Sequence, residues 1–440
     1  MEPKVEIIET HIVPPNKETP KHKLWLSNLD KFAPRDHAPT IYIYKPNSDN
    51  PDSNFFSVET LKNSLSKALV IFYPLAGRLV LNKDGRPEEV DCNAEGALLS
   101  VAQAHCTLDS FGEFRPSPTV LELLVPSVTG PERSSILMLF QVTFFKCGGV
   151  CLGCTMQHNV MDGVGALHFI NSWSEIARGV ADEDVVKPFL DRSALKARTP
   201  PCVVCEHEDY KSDLYCKRPS LGGLDKCETV ILKITKEQLS ALKGGRNGLS
   251  TFKAVSVHLW RTVCKVRGLS QGEDVRLYMA ADARDRLEPP LPKGYLGNAI
   301  LSFSASLPVE DLLSNPFKAG AAKIEESVLR LNDEYLRSLV DFLEVNKDNK
   351  DMVLGSRAMG PGDFLCNSWL ALPIYDADFG WGKPCFMCRA SMRFASQSYV
   401  MRSPGNTGGV DIAFGFEPEN MARFKEIFYK DLVVEESLDS

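Results

Sequence analysis

The chain lacks any run of about 18 consecutive apolar residues, the length a membrane-spanning helix needs, so no membrane span is expected. No apolar stretch follows the N-terminal MEPKVEIIET, so no secretory leader is expected either. The C-terminal ESLDS matches no retention or prenylation signal. Positive charge is not in excess: 50 Lys and Arg stand against 57 Asp and Glu, a net charge of -7. Without a basic field, neither nucleic acid nor an anionic membrane is an expected partner. Internal repeats and low-complexity runs are absent, and so is the GxSxG elbow of serine hydrolases. These absences leave a cytoplasmic protein with reduced cysteines as the expectation.

The cysteines do not form a framework. There are thirteen, an odd number, and three pairs have CxxC spacing: Cys151/Cys154, Cys202/Cys205 and Cys385/Cys388. The first pair lies in GVCLGCTM, apolar enough to be a buried strand, where positions i and i+3 face opposite sides and cannot chelate together. Cys202 and Cys205 are followed by His207, Cys216 and Cys227, without a second CxxC. No metal site is assigned, and the thiols are read as small hydrophobes. No cofactor is expected.

What is present is an ordinary globular composition, with 44% hydrophobic and 24% charged residues in 440. That length allows two to four domains at roughly 150 residues each. Amphipathic helices alternate with short strands. ETLKNSLSKALVIF carries Leu61, Leu65, Ala68, Leu69 and Phe72 on one stripe behind Ser57. STFKAVSVHLWRTVCKVRG does the same from Phe252 to Val266, capped by Ser250 and ended by Gly268. Ile324, Val328, Leu331, Tyr335, Leu339 and Phe342 predict one long helix over 318–346, and a last helix follows Pro418. PTIYIYK, SILMLFQVTFF and GVCLGCTM read as strands. Residues 181–216, with Pro200-Pro201 and no sustained periodicity, read as a crossover between an N-terminal domain (1–180) and a C-terminal one (217–440).

One stretch carries chemistry: Gln157-His158-Asn159-Val160-Met161-Asp162-Gly163. An apolar strand runs into His158, Asp162-Gly163 turns the chain, and the helix ALHFINSWSEIARG follows. A histidine at the end of a buried strand projects into a cleft, and imidazole titrates where a general base must. On spacing alone, His-x-x-x-Asp favours the plainer reading, a hydrogen-bonded histidine at a domain edge. A second motif, Asp378-Phe379-Gly380-Trp381-Gly382, changes the balance.

With both motifs in view, the sequence resembles the plant BAHD acyl-CoA-dependent acyltransferases, marked by HxxxDG mid-chain and DFGWG near the C-terminus. The resemblance covers essentially the whole chain. Tyr73-Pro-Leu-Ala-Gly-Arg-Leu79, Val90-Asp-Cys-Asn-Ala-Glu-Gly96, Phe145-Lys-Cys-Gly-Gly149, Asn171-Ser-Trp173 and Tyr295-Leu-Gly-Asn298 all carry it. Trp25-Leu-Ser-Asn-Leu-Asp30, His37-Ala-Pro-Thr-Ile-Tyr42 and the run PIYDADFGWGKP over 373–384 resemble the hydroxycinnamoyl-CoA transferase clade.

The resemblance implies a mixed α/β fold of the chloramphenicol acetyltransferase kind. It would have two similar-sized domains, each a mixed sheet with flanking helices, and a solvent channel between them. It also implies that a C-terminal segment crosses back to the N-terminal domain. The partners would be an acyl-CoA donor and a small-molecule acceptor, on a monomer. A thioester is already activated, so the reaction needs a base for the acceptor, here His158, and donors for the oxyanion. Asp162 is implied to be structural, beside Gly163, pairing with Arg284 or Arg286; Asp378 forms a similar pair or has an acid/base role. Trp381 either aims its indole N–H at the oxyanion or packs. The helix N-terminus at Ser250 and Thr251 is a natural site for CoA phosphates, with Lys253 as an adjunct.

The acceptor side departs from the pattern. Shikimate and quinate transferases of the family place an arginine in SWxRLP, after the Ser-Trp pair, to grip the acceptor carboxylate. Here Ser368-Trp369-Leu370-Ala371-Leu372-Pro373 has Ala371 at that place, which cannot form a bidentate pair. His37, Thr40 and Tyr42 remain to hydrogen-bond a hydroxylated acceptor. The expectation is hydroxycinnamoyl transfer to a hydroxyl. The resemblance favours a shikimate-like acceptor, whereas Ala371 favours a neutral or long-chain alcohol, or an amine such as a polyamine. A non-catalytic acyl-CoA-binding protein is the alternative of another class.

Overall fold

The computed structural model describes residues 3–46, 55–210, 227–245, 249–349, 352, 354, 356, 359–392 and 394–432. In chain order the elements are β1 (Val5–Val13), β2 (Lys23–Trp25), α1 (Asn28–Phe32), β3 (His37–Tyr44), α2 (Val58–Ile71), β4 (Arg78–Leu81), β5 (Pro87–Asp91), β6 (Ala97–Ala104), α3 (Pro118–Leu124), α4 (Pro131–Ser134), β7 (Met138–Phe144), β8 (Val150–Gln157) and α5 (Gly163–Ala177). They continue with β9 (Glu228–Ile234), α6 (Lys236–Lys243), α7 (Thr251–Arg267), β10 (Asp274–Asp282), β11 (Ile300–Pro308), α8 (Val309–Ser314), α9 (Pro316–Leu329), α10 (Asp333–Val345), β12 (Phe364–Ser368), β13 (Phe386–Arg389), β14 (Gln397–Arg402), β15 (Val410–Phe416) and α11 (Pro418–Lys430). Among the described residues, no helix is long and apolar enough to cross a membrane.

The chain forms two compact units. The first comprises Met1–Thr199, Pro289–Ala299 and Leu372–Ser391. Its main sheet has the order β1-β6-β7-β8-β3-β13, antiparallel except for the parallel pair β6/β7. A small sheet, β2-β5-β4, belongs to the same unit. Strand β8 reads VCLGCTMQ and every residue of it is buried. It is paired on both edges, by β3 and β7, so an uninterrupted apolar sequence is what this position requires. Helix α2 starts on Ser57, which accepts from the Thr60 N–H, and buries Leu61, Leu65, Ala68 and Leu69. It packs against α5, where the buried Trp173 indole donates to Ser64 Oγ at 2.9 Å.

The second unit comprises Pro200–Glu288, Ile300–Ala371 and Met392–Ser440. Its sheet has the order β11-β10-β12-β14-β15-β9, with β12 parallel to both of its neighbours. Helix α7 begins and ends where its sequence predicts: Ser250 accepts from the Lys253 N–H, and Gly268 closes it in the left-handed conformation at φ 60. The long helix expected over 318–346 is instead two, α9 and α10. Asn332 breaks it by capping α10, its side chain accepting from the Tyr335 N–H at 2.9 Å. The hydrophobic stripe runs through the break because both helices bury a face, so periodicity alone does not reveal the cap.

The units also differ from a single cut at 181–216. Residues 289–299 and 372–391 return to the first unit, the latter through β13, which adds an edge strand beside β3. Of the expected crossover, 211–216 lies outside the described residues, as does Cys216.

Gly153, in the middle of β8, lets the end of α3 lie directly on the strand. A Cβ there would stand 1.9 Å from the Leu124 carbonyl oxygen. Gly153→Ala is therefore expected to cost about 3 kcal/mol by overpacking. A thermal scan should show a transition lowered by several degrees; an unchanged scan would refute this packing.

Candidate active site

The chain leaves the core at the end of β8. Residues 158–160 form a turn, and His158 is half-buried while Asn159, Val160 and Met161 are buried. The turn is bonded residue by residue. The His158 carbonyl accepts from Asn298 Nδ2 at 2.8 Å. Asn159 Nδ2 donates to the Asp30 and Ala33 carbonyls, at 2.7 and 3.2 Å. The Val160 carbonyl accepts from Arg192 Nη2 at 2.9 Å.

Asp162 is the N-cap of α5. Its Oδ1 accepts from the N–H groups of Val164 and Gly165, both at 3.1 Å, and its Oδ2 accepts from the Ala299 N–H at 3.0 Å. The carboxylate thus satisfies the opening turn of the helix and also ties in the 289–299 segment. Gly163 is the first helical residue, exposed, with Leu372 beside it.

Segment 372–378 runs along α5 from its N-terminal to its C-terminal end. Leu372 lies by Gly163, the Pro373 carbonyl accepts from Asn171 Nδ2 at 3.2 Å, and the Asp378 carbonyl accepts from Arg178. Asp162 and Arg178 flank α5 and stand about 24 Å apart at 1.5 Å per residue. The second motif is therefore attached at the end of α5 remote from His158. The Asp378 carboxylate accepts from the Gly380 and Gly382 N–H groups, at 2.8 and 3.0 Å. Phe379 is buried against Trp173, Tyr44 and Phe56, and the Tyr44 hydroxyl donates to the Ala377 carbonyl at 2.7 Å. Trp381 packs on Phe56 with ring centroids 5.1 Å apart. The structure does not bring Asp378 and Trp381 to His158; their contacts are those of a folded loop anchored on aromatic rings.

The remaining expected residues have these places. His37 is buried on β3, its Nε2 bonded to the Ile136 carbonyl at 2.7 Å, and burial lowers its pKa. Tyr42 is buried, and burial holds its phenol well above the usual range; Thr40, two residues earlier, is half-buried. Cys151 and Cys154 are buried, with both thiols pushed up by desolvation, which does not suit a thiolate nucleophile. In the second unit, Arg284 pairs with Asp282 at 3.1 Å and Arg286 donates to the Val328 and Leu331 carbonyls. Lys253 pairs with Glu325 at 3.1 Å, on the first turn of the helix that Ser250 and Thr251 open. Trp369 packs against Tyr399 with centroids 4.9 Å apart, and Ala371 is exposed.

A buried strand ending in a histidine turn, an aspartate-capped helix and a remote aromatic-anchored loop are the parts of one known architecture. The model of the Transferase family matches residues 3–431. The chain belongs to this family, the BAHD acyl-CoA-dependent acyltransferases. It is 44% identical to putrescine hydroxycinnamoyltransferase 1 of Oryza sativa subsp. japonica, over 97% of this chain and 99% of that one. It is 38% identical to the shikimate O-hydroxycinnamoyltransferase of Nicotiana tabacum, with the same coverage. Among solved structures, vinorine synthase shares the fold with a TM-score of 0.75 and 25% identity, over 95% of this chain and 96% of its own.

In this BAHD member His158 and Asp162 stand out in the sequence, whereas Asp30, Arg192 and Asn298, which hold the turn between them, do not. Asp30 and Asn298 end two quoted motifs. Their connection is invisible in the sequence because 268 positions separate them.

Asp162→Ala removes a helix cap, worth about 0.5–2 kcal/mol, and strands the buried Ala299 N–H at a further cost of about 1–3 kcal/mol. The variant should unfold at lower temperature and lose activity with it. Asp162→Asn keeps the capping oxygen and should fall between Ala and wild type. Equal stabilities in all three would contradict the capping role.

Proposed function

We propose that this protein transfers a hydroxycinnamoyl group from its CoA thioester to an acceptor without a carboxylate, with an aliphatic amine such as putrescine as the first choice. The observation that carries the reading is a half-buried histidine on a rigidly bonded turn at the end of a buried strand. It occurs in a chain 44% identical to a putrescine hydroxycinnamoyltransferase. His158 takes the proton from the attacking nitrogen or oxygen as it adds to the thioester carbonyl. The tetrahedral intermediate then collapses, the C–S bond breaks, and CoA leaves with the proton returned by His158. Such general-base help is worth roughly 10²–10⁴ in rate. Transfer is direct, without an acyl-enzyme. Asp162 and Asp378 act as scaffold, and the N–H groups behind Ser250 receive a CoA phosphate.

Acceptor choice rests on position 371. Ala371 directly precedes Leu372, whose side chain lies beside Gly163. An alanine there offers no cation to a carboxylate. A second reading, transfer to a neutral hydroxyl, is favoured by the 38% identity to an O-transferase over the full chain.

The test is thiol release from p-coumaroyl-CoA with putrescine, shikimate or an aliphatic alcohol. Release is expected only with acceptor and most efficiently with the diamine. With the amine, kcat/KM should rise about tenfold per pH unit from 7 to 9, because only the neutral amine attacks and alkylammonium pKa values lie near 10.4. Release without acceptor would mean a hydrolase, and no release a binding protein.

Ala371→Arg is expected to raise the shikimate-to-putrescine ratio of kcat/KM by about ten- to a hundredfold, as a charge-assisted contact would. An unchanged ratio in a folded variant, or efficient shikimate turnover by the wild type, would show that another residue sets the acceptor.

A further inference from the structure

The Asp30 carboxylate is fully buried and lies at the centre of a closed set of bonds. Its Oδ2 accepts from the Ser27 N–H at 2.9 Å, Ser27 Oγ at 2.7 Å and Arg192 Nη1 at 2.8 Å. Its Oδ1 accepts from the Asn298 N–H at 2.7 Å and Asn298 Nδ2 at 3.0 Å. The groups that hold Asp30 are also the groups that hold the His158 turn. Asn298 Nδ2 reaches the His158 carbonyl, Arg192 Nη2 reaches the Val160 carbonyl, and the Asp30 carbonyl itself receives the Asn159 side chain. Three consecutive residues of the turn are therefore bonded either to Asp30 or to a side chain that Asp30 fixes.

A buried ion pair is a poor device for stability alone, since apolar residues of similar volume commonly serve as well or better. What this one supplies is direction. Two of the bonds end on the backbone carbonyls of His158 and Val160 and the third on the Asn159 side chain between them, in the piece of chain on which the imidazole is mounted.

We propose that Asp30, acting through Asn298 and Arg192, is the positioning residue that sets the attack geometry of His158. The proposal rests on the reading of His158 as the general base. Misplacement of a reacting group by about 1 Å costs on the order of 10²-fold in rate, so loss of the hub should fall on kcat and leave thioester binding alone.

The experiment is a double-mutant cycle in the full-length protein. Asn298→Ala and Asp30→Asn are each made alone and together with His158→Ala, with p-coumaroyl-CoA and the best acceptor. In the wild-type background each is expected to lower kcat by about 30–100-fold, with KM for the thioester changed less than about twofold. In the His158→Ala background the same substitutions should cost less than about twofold, because a missing base cannot be misplaced.

An equal loss in both backgrounds would mean that the hub merely holds the unit together, and would overturn the proposal. So would an unchanged kcat in folded Asn298→Ala. If Asp30→Asn leaves Arg192 uncompensated and fails to fold, Asn298→Ala, which keeps the ion pair, decides alone. Undiminished turnover in the His158→Ala single variant would remove the base reading itself, and that result is visible before the cycle is evaluated.

Discussion

A strand that is buried on both edges and both faces must satisfy its backbone where it stops, and β8 stops at His158. The Val160 N–H satisfies the Gln157 carbonyl locally, but the groups that bond the turn itself come from elsewhere in the sequence. They come from Asp30 after β2, from Arg192 beyond α5, and from Asn298 in a segment that returns from far along the chain. The Asp30–Arg192 pair, with side chains 0% and 1% exposed, makes the three meet. An unpaired charge at this depth would cost several kcal/mol, so either residue fixes the place of the other. The histidine turn takes its geometry from that requirement.

Helix α5 extends the same constraint. Asp162 caps it on one side and binds Ala299 on the other, next to Asn298, so helix start and histidine turn share one support. Along its length α5 carries the 372–378 segment, and its far end holds the Asp378 loop. Here Asp378 folds the loop by bonding two of its glycine N–H groups, and Phe379 fills an aromatic cluster. The two motifs that mark the family thus lie at opposite ends of α5: the His158 turn precedes its start, and the Asp378 loop at its far end is tied to the sheet through Tyr44.

Local features were legible in the sequence. The apolar run of β8 and the stripe and caps of α7 appear where pattern and capping chemistry predict them, because each depends on residues a few positions apart. His158 was legible as the residue after an apolar strand and before a helix cap. What was not legible depends on distant contacts. The break between α9 and α10 is set by one asparagine within a continuous stripe. The family resemblance implies that a C-terminal segment crosses back, but which segments return, 289–299 and 372–391, follows from pairing and bonding partners hundreds of residues away. Of the hub residues, Asp30 and Asn298 end family motifs and Arg192 lies in none, and Asp, Arg and Asn at unrelated positions imply no common site until the fold joins them.

The most direct measurement of the account is His158→Ala, assayed for turnover and for binding of the CoA thioester in the same preparation. A ring mounted on a pre-formed turn as general base predicts a loss of at least about 10²-fold in kcat with thioester affinity and thermal unfolding nearly unchanged. Retention of more than about a tenth of wild-type turnover would contradict the assignment of the base.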